Sequence, residues 1–230
     1  MNCTNPIKLF LIVFGYLFNP SFINSQNKQL PKIALEQNGF VLVEAEDFTS
    51  QSNSEIRKWH ITTITQNPTA TDAGKSHASS ASGKAYIEIL PDTRTNHEEK
   101  LISGENFSDK PGAVAVVSYK VNFQKPGRYF VWAKIYSTGS EDNGVHVGID
   151  GTWPESGKRM QWCEGKNSWF WDSKQRTQEV HCGVPYQIYL DVLQPGVHEI
   201  QFSMREDGFE MDQWIMTIDK DFNPTNDSKF

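Results

Sequence analysis

The chain has 230 residues and carries 28 acidic side chains against 22 lysines and arginines, a formal net charge of −6 at pH 7. That balance argues against nucleic acid or an anionic membrane surface as the main partner, because both reward clustered positive charge. The length is that of one all-β domain with a leader attached, rather than of a multi-domain assembly.

Lys8 precedes an uncharged apolar run at residues 9–18. Such a run falls short of a bilayer span at about 1.5 Å per residue but suits a signal-peptide core, so no membrane insertion is expected. Cleavage is expected near Asn24-Ser25-Gln26, which removes residues 1–25, Cys3 among them, and makes the mature protein secreted. What remains has 21 basic and 28 acidic side chains, a net charge of −7. Cys163 and Cys182 then meet an oxidising compartment, where a disulfide between them is expected. The alternative is two free thiols. Zinc is disfavoured, since neither cysteine belongs to a CxxC pair.

Residues 26–36 read as a polar lead-in, 37–220 as the domain and 221–230 as a polar tail. Short alternating segments at 40–44, 59–64, 84–90, 113–121, 128–136, 145–149, 186–193, 197–204 and 209–218 predict strands. Pro111-Gly112, Pro126-Gly127, Asp150-Gly151 and Pro195-Gly196 punctuate them, the last as an expected hairpin turn. Residues 65–83, rich in Thr, Ser, Ala and Gly, predict a loop. The pattern is all-β, a two-sheet antiparallel β-sandwich of jelly-roll type. Period-two alternation puts Tyr129, Val131, Ala133 and Ile135 on the core side. Tyr186, Ile188, Leu190 and Val192 form a second such set, and Ile200, Phe202 and Met204 a third. Phe130 and Trp132 then face outward and require cover or a ligand.

Residues 151–182 interrupt the strand pattern and hold four of the seven tryptophans: Trp153, Trp162, Trp169 and Trp171. Long ordered loops often carry function, and dense tryptophan there means either a small core of its own or a binding platform.

Several segments in fixed order resemble a known group of folds. They are Val43-Glu44-Ala45-Glu46-Asp47-Phe48, Pro126-Gly127-Arg128-Tyr129, Ile149-Asp150-Gly151, Pro195-Gly196-Val197-His198 and Met211-Asp212-Gln213-Trp214-Ile215. Over residues 40–218 the chain resembles the galactose-binding-domain-like β-sandwiches, in particular carbohydrate-binding module families six and thirty-five. Pro91-Asp92-Thr93-Arg94 and residues 143–182 are similar to a subtype appended to agarases and other marine polysaccharide-degrading enzymes. The resemblance implies a non-catalytic binder of polysaccharide or oligosaccharide that supports such an enzyme system. It also implies a structural Ca²⁺ held by Glu44, Glu46 and Asp212, an oxygen set that suits calcium. Glu44 and Glu46 share strand parity and are expected to leave one side of the first strand.

Flat aromatic rings stack on the C–H faces of sugars while polar groups read the hydroxyls. Trp153, Trp162, Trp169 and Trp171 are the expected stacking residues, with Asn143, Arg94 and Arg159 as the leading polar partners. Asp142, Glu155, Gln161, Lys166, Asn167 and Arg176 are further candidates, with His97 on the rim beside Arg94. An arginine fork also suits a carboxylate or sulfate on an anionic algal polymer.

A catalytic reading competes with this one. Two of Glu98, Glu99, Glu155, Glu164 and Asp172 would serve as the carboxyl pair of a glycoside hydrolase, or His97 or His146 as the base of a lyase. No G-x-S-x-G or H-E-x-x-H motif supports it, and no catalytic residue is assigned. A structural or adhesive surface protein is the third reading.

Overall fold

A computed structural model of the chain describes residues 1, 32–52, 56–225 and 228. The expected leader at residues 9–18 and its cleavage region lie outside the described residues. All elements below belong to the compact unit Pro31–Phe230.

In chain order the strands are β1 (Ile33–Leu35), β2 (Phe40–Glu44), β3 (Ser50–Gln51), β4 (Lys58–Thr63), β5 (Ala85–Leu90), β6 (Val117–Phe123), β7 (Gly127–Tyr136) and β8 (Gly144–Ile149). There follow β9 (Met160–Gln161), β10 (Trp169–Asp172), β11 (Lys174–Gln175), β12 (Val184–Pro185), β13 (Tyr189–Val192), β14 (Gly196–Met204) and β15 (Glu210–Thr217). They form two sheets. The first runs β1-β6-β14-β8-β9-β11-β12, with β3 on β6. The second runs β10-β7-β15-β5-β4, with β13 on β7 and β2 on β15. Apart from the parallel pair β1–β6, every strand pairing is antiparallel. The described residues contain short 3-10 turns but no α-helix, and no helix long and apolar enough to cross a membrane. The expected all-β sandwich is the fold.

Alternation explains which face each strand buries. Tyr129, Val131, Ala133 and Ile135 of β7 meet Ile200, Phe202 and Met204 of β14 in the main core, joined by Trp59, Tyr119, Phe209 and Trp214. Two polar groups of this core reach backbone carbonyls. Trp59 Nε1 donates to Ala115 O at 2.7 Å, and the Tyr119 hydroxyl donates to Ala45 O at 2.7 Å.

Several local expectations change. The strand expected at 113–121 begins later, at Val117, and the one expected at 186–193 shortens to β13. Tyr186, expected in the core, lies outside β13 and is exposed, while Ile188, Leu190 and Val192 are buried as expected. Pro195-Gly196 does not close a hairpin: β13 pairs with β7 in one sheet and β14 with β6 and β8 in the other, so the turn carries the chain between sheets. The expected lead-in ends in a strand, β1. Glu36 beside it is fully buried, its carboxylate accepting from the backbone of Gly39, Gln124 and Lys125. The outward Trp132 gets its cover from the chain itself, packing with Trp171 and Ile215 and lying edge-on to Phe222 of the tail.

Candidate functional site

The loops at one end of the sandwich enclose a cavity of about 400 Å³ whose lining includes Arg94, Phe107, Asn143, Gln161, Arg176, His181 and Arg205. Arg94 and Phe107 come from the long β5–β6 connection, Arg176 and His181 from the β11–β12 connection, and Asn143, Gln161 and Arg205 from the ends of β8, β9 and β14, and the walls are fixed by hydrogen bonds. Asn143, just before β8, donates from its backbone to Glu206 Oε2 (3.0 Å) and from Nδ2 to Trp162 O (2.6 Å), while Trp162 N donates to Asn143 O (2.9 Å). This clamps the start of β8 to the end of β9. It leaves Asn143 Oδ1 buried with no hydrogen-bond partner.

Arg205 follows β14, with its guanidinium carbon 4.9 Å from the centre of the Phe107 ring and an ion pair to Glu206. Its Nε is also buried without a partner. Burial pushes the Glu206 carboxyl up, and Arg205 opposes that shift. Arg94 pairs with Glu141 and donates from Nε to Glu99 O at 3.2 Å.

Arg176 differs from these two. Its neighbours are Gln161 Oε1 at 3.3 Å and His181 Nδ1 at 3.4 Å, and among the described residues no carboxylate lies within ion-pair distance of it. Burial, and then the positive charge of Arg205, hold its guanidinium below its ordinary value. Desolvating a charge is costly unless it is paired.

Arg176 and His181 ride on the two-stranded element β11–β12, whose strands are two residues long. The expected disulfide is present: Cys163 and Cys182 are bonded, their Cα atoms 5.3 Å apart. It ties this element to the end of β9. Closing a loop of this length contributes roughly 3 kcal/mol in the chain-entropy model. Reduction is therefore expected to lower the melting temperature. Amide exchange across residues 174–185 should accelerate before that of β7 and β15; equal acceleration everywhere would contradict a local role for the bond.

The sequence candidates divide. Arg94 and Asn143 line the cavity together with Gln161 and Arg176. Arg159 does not, because its guanidinium goes to Glu155 and to Arg176 O. The four tryptophans do not make a platform. Trp162 is fully buried in the main core, 5.6 Å from Phe209. Trp169 is 6% exposed and packs edge-on to Tyr86 and Tyr136, where it also lines an open pocket with His77, Lys134 and Asn167, and Trp171 is 4% exposed beside Trp132. Trp153 is half-buried over two glycines: a Cβ on Gly112 would fall 2.4 Å from its Nε1, and one on Gly148 2.8 Å from its ring. The physical reason is that part of this insertion is itself sheet, so its aromatic rings found apolar faces to cover.

Other candidates have structural partners. Asp142 accepts from Ser137, Thr138 and Gly139, and Lys166 donates to Ser137 Oγ at 2.6 Å. His146 is buried, pushed down to about 4 by burial, and held by Ser108 O and Arg159 N. Glu155 pairs with Lys158, Asp172 with Lys174, and Glu99 caps the turn at Thr95–Asn96. Phe107, His181 and Arg205 were not singled out from sequence; the turn-like Arg205-Glu206-Asp207-Gly208 was the one available signal.

The proposed calcium residues gather at the junction of β2 and β15. Glu44 ends β2, but Glu46 lies in the 3-10 turn Ala45–Asp47, so strand parity is not what aligns the two. Asp212 is the extra residue of a bulge between Met211 and Gln213. Glu44 Oε1 accepts from Ser82 Oγ (2.9 Å) and Gln213 Nε2 (2.8 Å). Asp212 Oδ1 accepts from Ser82 N (2.9 Å), and Lys134 Nζ lies 3.1 Å from Asp212 Oδ2. Glu44 Oε2 and Glu46 Oε2 are buried with no hydrogen-bond partner. Burial, reinforced by Glu44, Asp47 and Asp212, pushes Glu46 up to about 7. Two orphaned hard oxygens in a negative setting fit a calcium ion, although no three such side chains among the described residues form a closed metal cage.

No family model matches the chain. Uncharacterized protein P23 of Formosa agariphila is 50% identical over 219 residues, an alignment covering 94% of this chain and 53% of the relative. The chain thus spans about half the length of the curated relative it matches. Among solved structures, a family 35 carbohydrate-binding module from Clostridium thermocellum is similar at 13% identity. It covers 77% of this chain and 96% of its own, with a TM-score of 0.40. The family 35 module from Paenibacillus barcinonensis is similar at 14% identity, 77% and 98% coverage and a TM-score of 0.40.

Proposed function

We propose that the chain is a secreted, non-catalytic carbohydrate-binding β-sandwich that seats a polysaccharide or oligosaccharide in the loop-end cavity and assists a polysaccharide-degrading enzyme system. The observation that carries this reading is the cavity itself. It has a half-buried aromatic ring at Phe107, side-chain amides at Asn143 and Gln161, and guanidinium groups at Arg94, Arg176 and Arg205. A cavity that joins one aromatic ring to several converging hydrogen-bonding groups suits a ligand rich in hydroxyls. The carboxylates beside it, Glu141 and Glu206, are each tied to an arginine. That supports binding over hydrolysis, which needs two carboxyl groups free to face the scissile bond. Secretion rests on the apolar run at residues 9–18.

The test is retardation of the mature protein in gels containing a panel of algal and plant polysaccharides. Ser140→Trp, which fills the exposed rim of the cavity, should abolish retardation while keeping the melting temperature. Retardation unaffected by this substitution would place the site elsewhere, and new reducing ends or unsaturated products would make the protein an enzyme.

Calcium at Glu44, Glu46 and Asp212 is part of the same reading. An ion that binds only the folded state stabilises it by mass action, about 2.7 kcal/mol at a hundredfold excess over its dissociation constant. Chelation is expected to lower the melting temperature and added Ca²⁺ to restore it. An unmoved melting curve with no calcium by elemental analysis would remove the ion from the account.

A further inference from the structure

We infer that the loop-end cavity recognises a negatively charged oxyanion group on its sugar, an ester sulfate or a carboxylate, through the unpaired guanidinium of Arg176 with His181 and Arg205 beside it. This rests on the carbohydrate reading above and sharpens it.

Three arginines line the cavity wall, and two of them are balanced. Arg94 is balanced by Glu141, and Arg205 by Glu206. Arg176 is balanced by no carboxylate in ion-pair range among the described residues; its fork meets only the Gln161 amide and the His181 ring. The other five arginines, Arg57, Arg94, Arg128, Arg159 and Arg205, each pair with a carboxylate. Asp109 and Glu206 offset its charge only at longer range, while Arg205 and Arg159 add to the local positive field. The guanidinium is planar and presents paired N–H donors that match two oxygens of a sulfate or carboxylate. Arg205 lines the same cavity, its guanidinium held over the Phe107 ring by its pair with Glu206, so a second arginine fork stands beside Arg176. Gln161 and the disulfide hold the Arg176 element in place, which lowers the ordering cost of binding.

The experiment is a titration with matched pairs of oligosaccharides on one backbone. One pair is sulfated and desulfated; the other carries a free uronate and its methyl ester. The wild-type protein should bind the anionic member of at least one pair about tenfold or more tighter than its neutral twin. Whichever pair shows the preference identifies sulfate or carboxylate as the group read. Arg176→Gln should reduce that ratio to near one while the melting temperature holds. Arg176→Lys, which keeps the charge and loses the fork, should fall between. Equal binding of both twins by the wild type would overturn the inference and leave the carbohydrate reading standing. So would a ratio unchanged in Arg176→Gln. Binding of none of the four would overturn both. The twin ratio of the wild type needs no variant, so a poorly folding Arg176→Gln does not rescue the idea.

Discussion

Replacing Trp162 by alanine is expected to destabilise the protein by about 3–5 kcal/mol, enough to unfold a marginal domain, rather than to remove a stacking surface. Its side chain is fully buried between the sheets against Phe209, and the backbone at Trp162 is hydrogen-bonded to Asn143 in both directions. The substitution would open a large cavity in the core and loosen the clamp that shapes the loop-end cavity. Denaturant unfolding of Trp162→Ala measures the effect. A variant with the wild-type midpoint would show that the residue is not in the core.

The second large effect is a dependence of stability on pH. Glu88 on β5 lies directly opposite Glu210 on β15, with Asp72 and Asp92 near by. Burial, and then the Glu210 charge, push the Glu88 carboxyl up to about 9. A carboxyl whose folded value is raised binds more protons when folded than when unfolded. Its contribution is therefore fully present below about pH 4.5, is lost as pH rises toward 9 and is level beyond. Because the neighbouring carboxyls share protons, the loss is on the order of 3 kcal/mol rather than the sum of full shifts. Glu88→Gln removes the charge and keeps the shape. It should match the wild type at pH 5 and melt higher at pH 9. Parallel melting curves for the two proteins across that range would show that the carboxylate group is neutralised some other way.

How legible the molecule was in its sequence depended on how local each signal is. The β7 faces could be read directly, because period-two alternation is a property of one strand and Tyr129, Val131, Ala133 and Ile135 declare it. The disulfide could be expected from compartment and cysteine count. Pro195-Gly196 announced a turn but not its partner, since strand pairing is decided by contacts across the sequence. The bulge at Asp212 carries no residue signature, yet it moves that carboxylate out of register. Tryptophan density between Trp153 and Trp171 looks the same whether the rings cover a core or await a sugar, and here apolar surface within the fold took most of them. The cavity was half visible. Arg94, Asn143, Gln161 and Arg176 stood out as polar groups in loops, while Phe107 and Arg205 meet only through the fold.

Carbohydrate is expected to sit in the loop-end cavity. Backbone and side-chain NMR of the mature protein, titrated with an oligosaccharide that binds in the gel panel, tests it most directly. Saturable shifts should concentrate at Phe107, Asn143, Gln161, Arg176, His181 and Arg205, with the Trp132, Trp171 and Tyr186 signals unmoved. Shifts confined to the outer sheet face around Trp132, with the cavity residues silent, would contradict it.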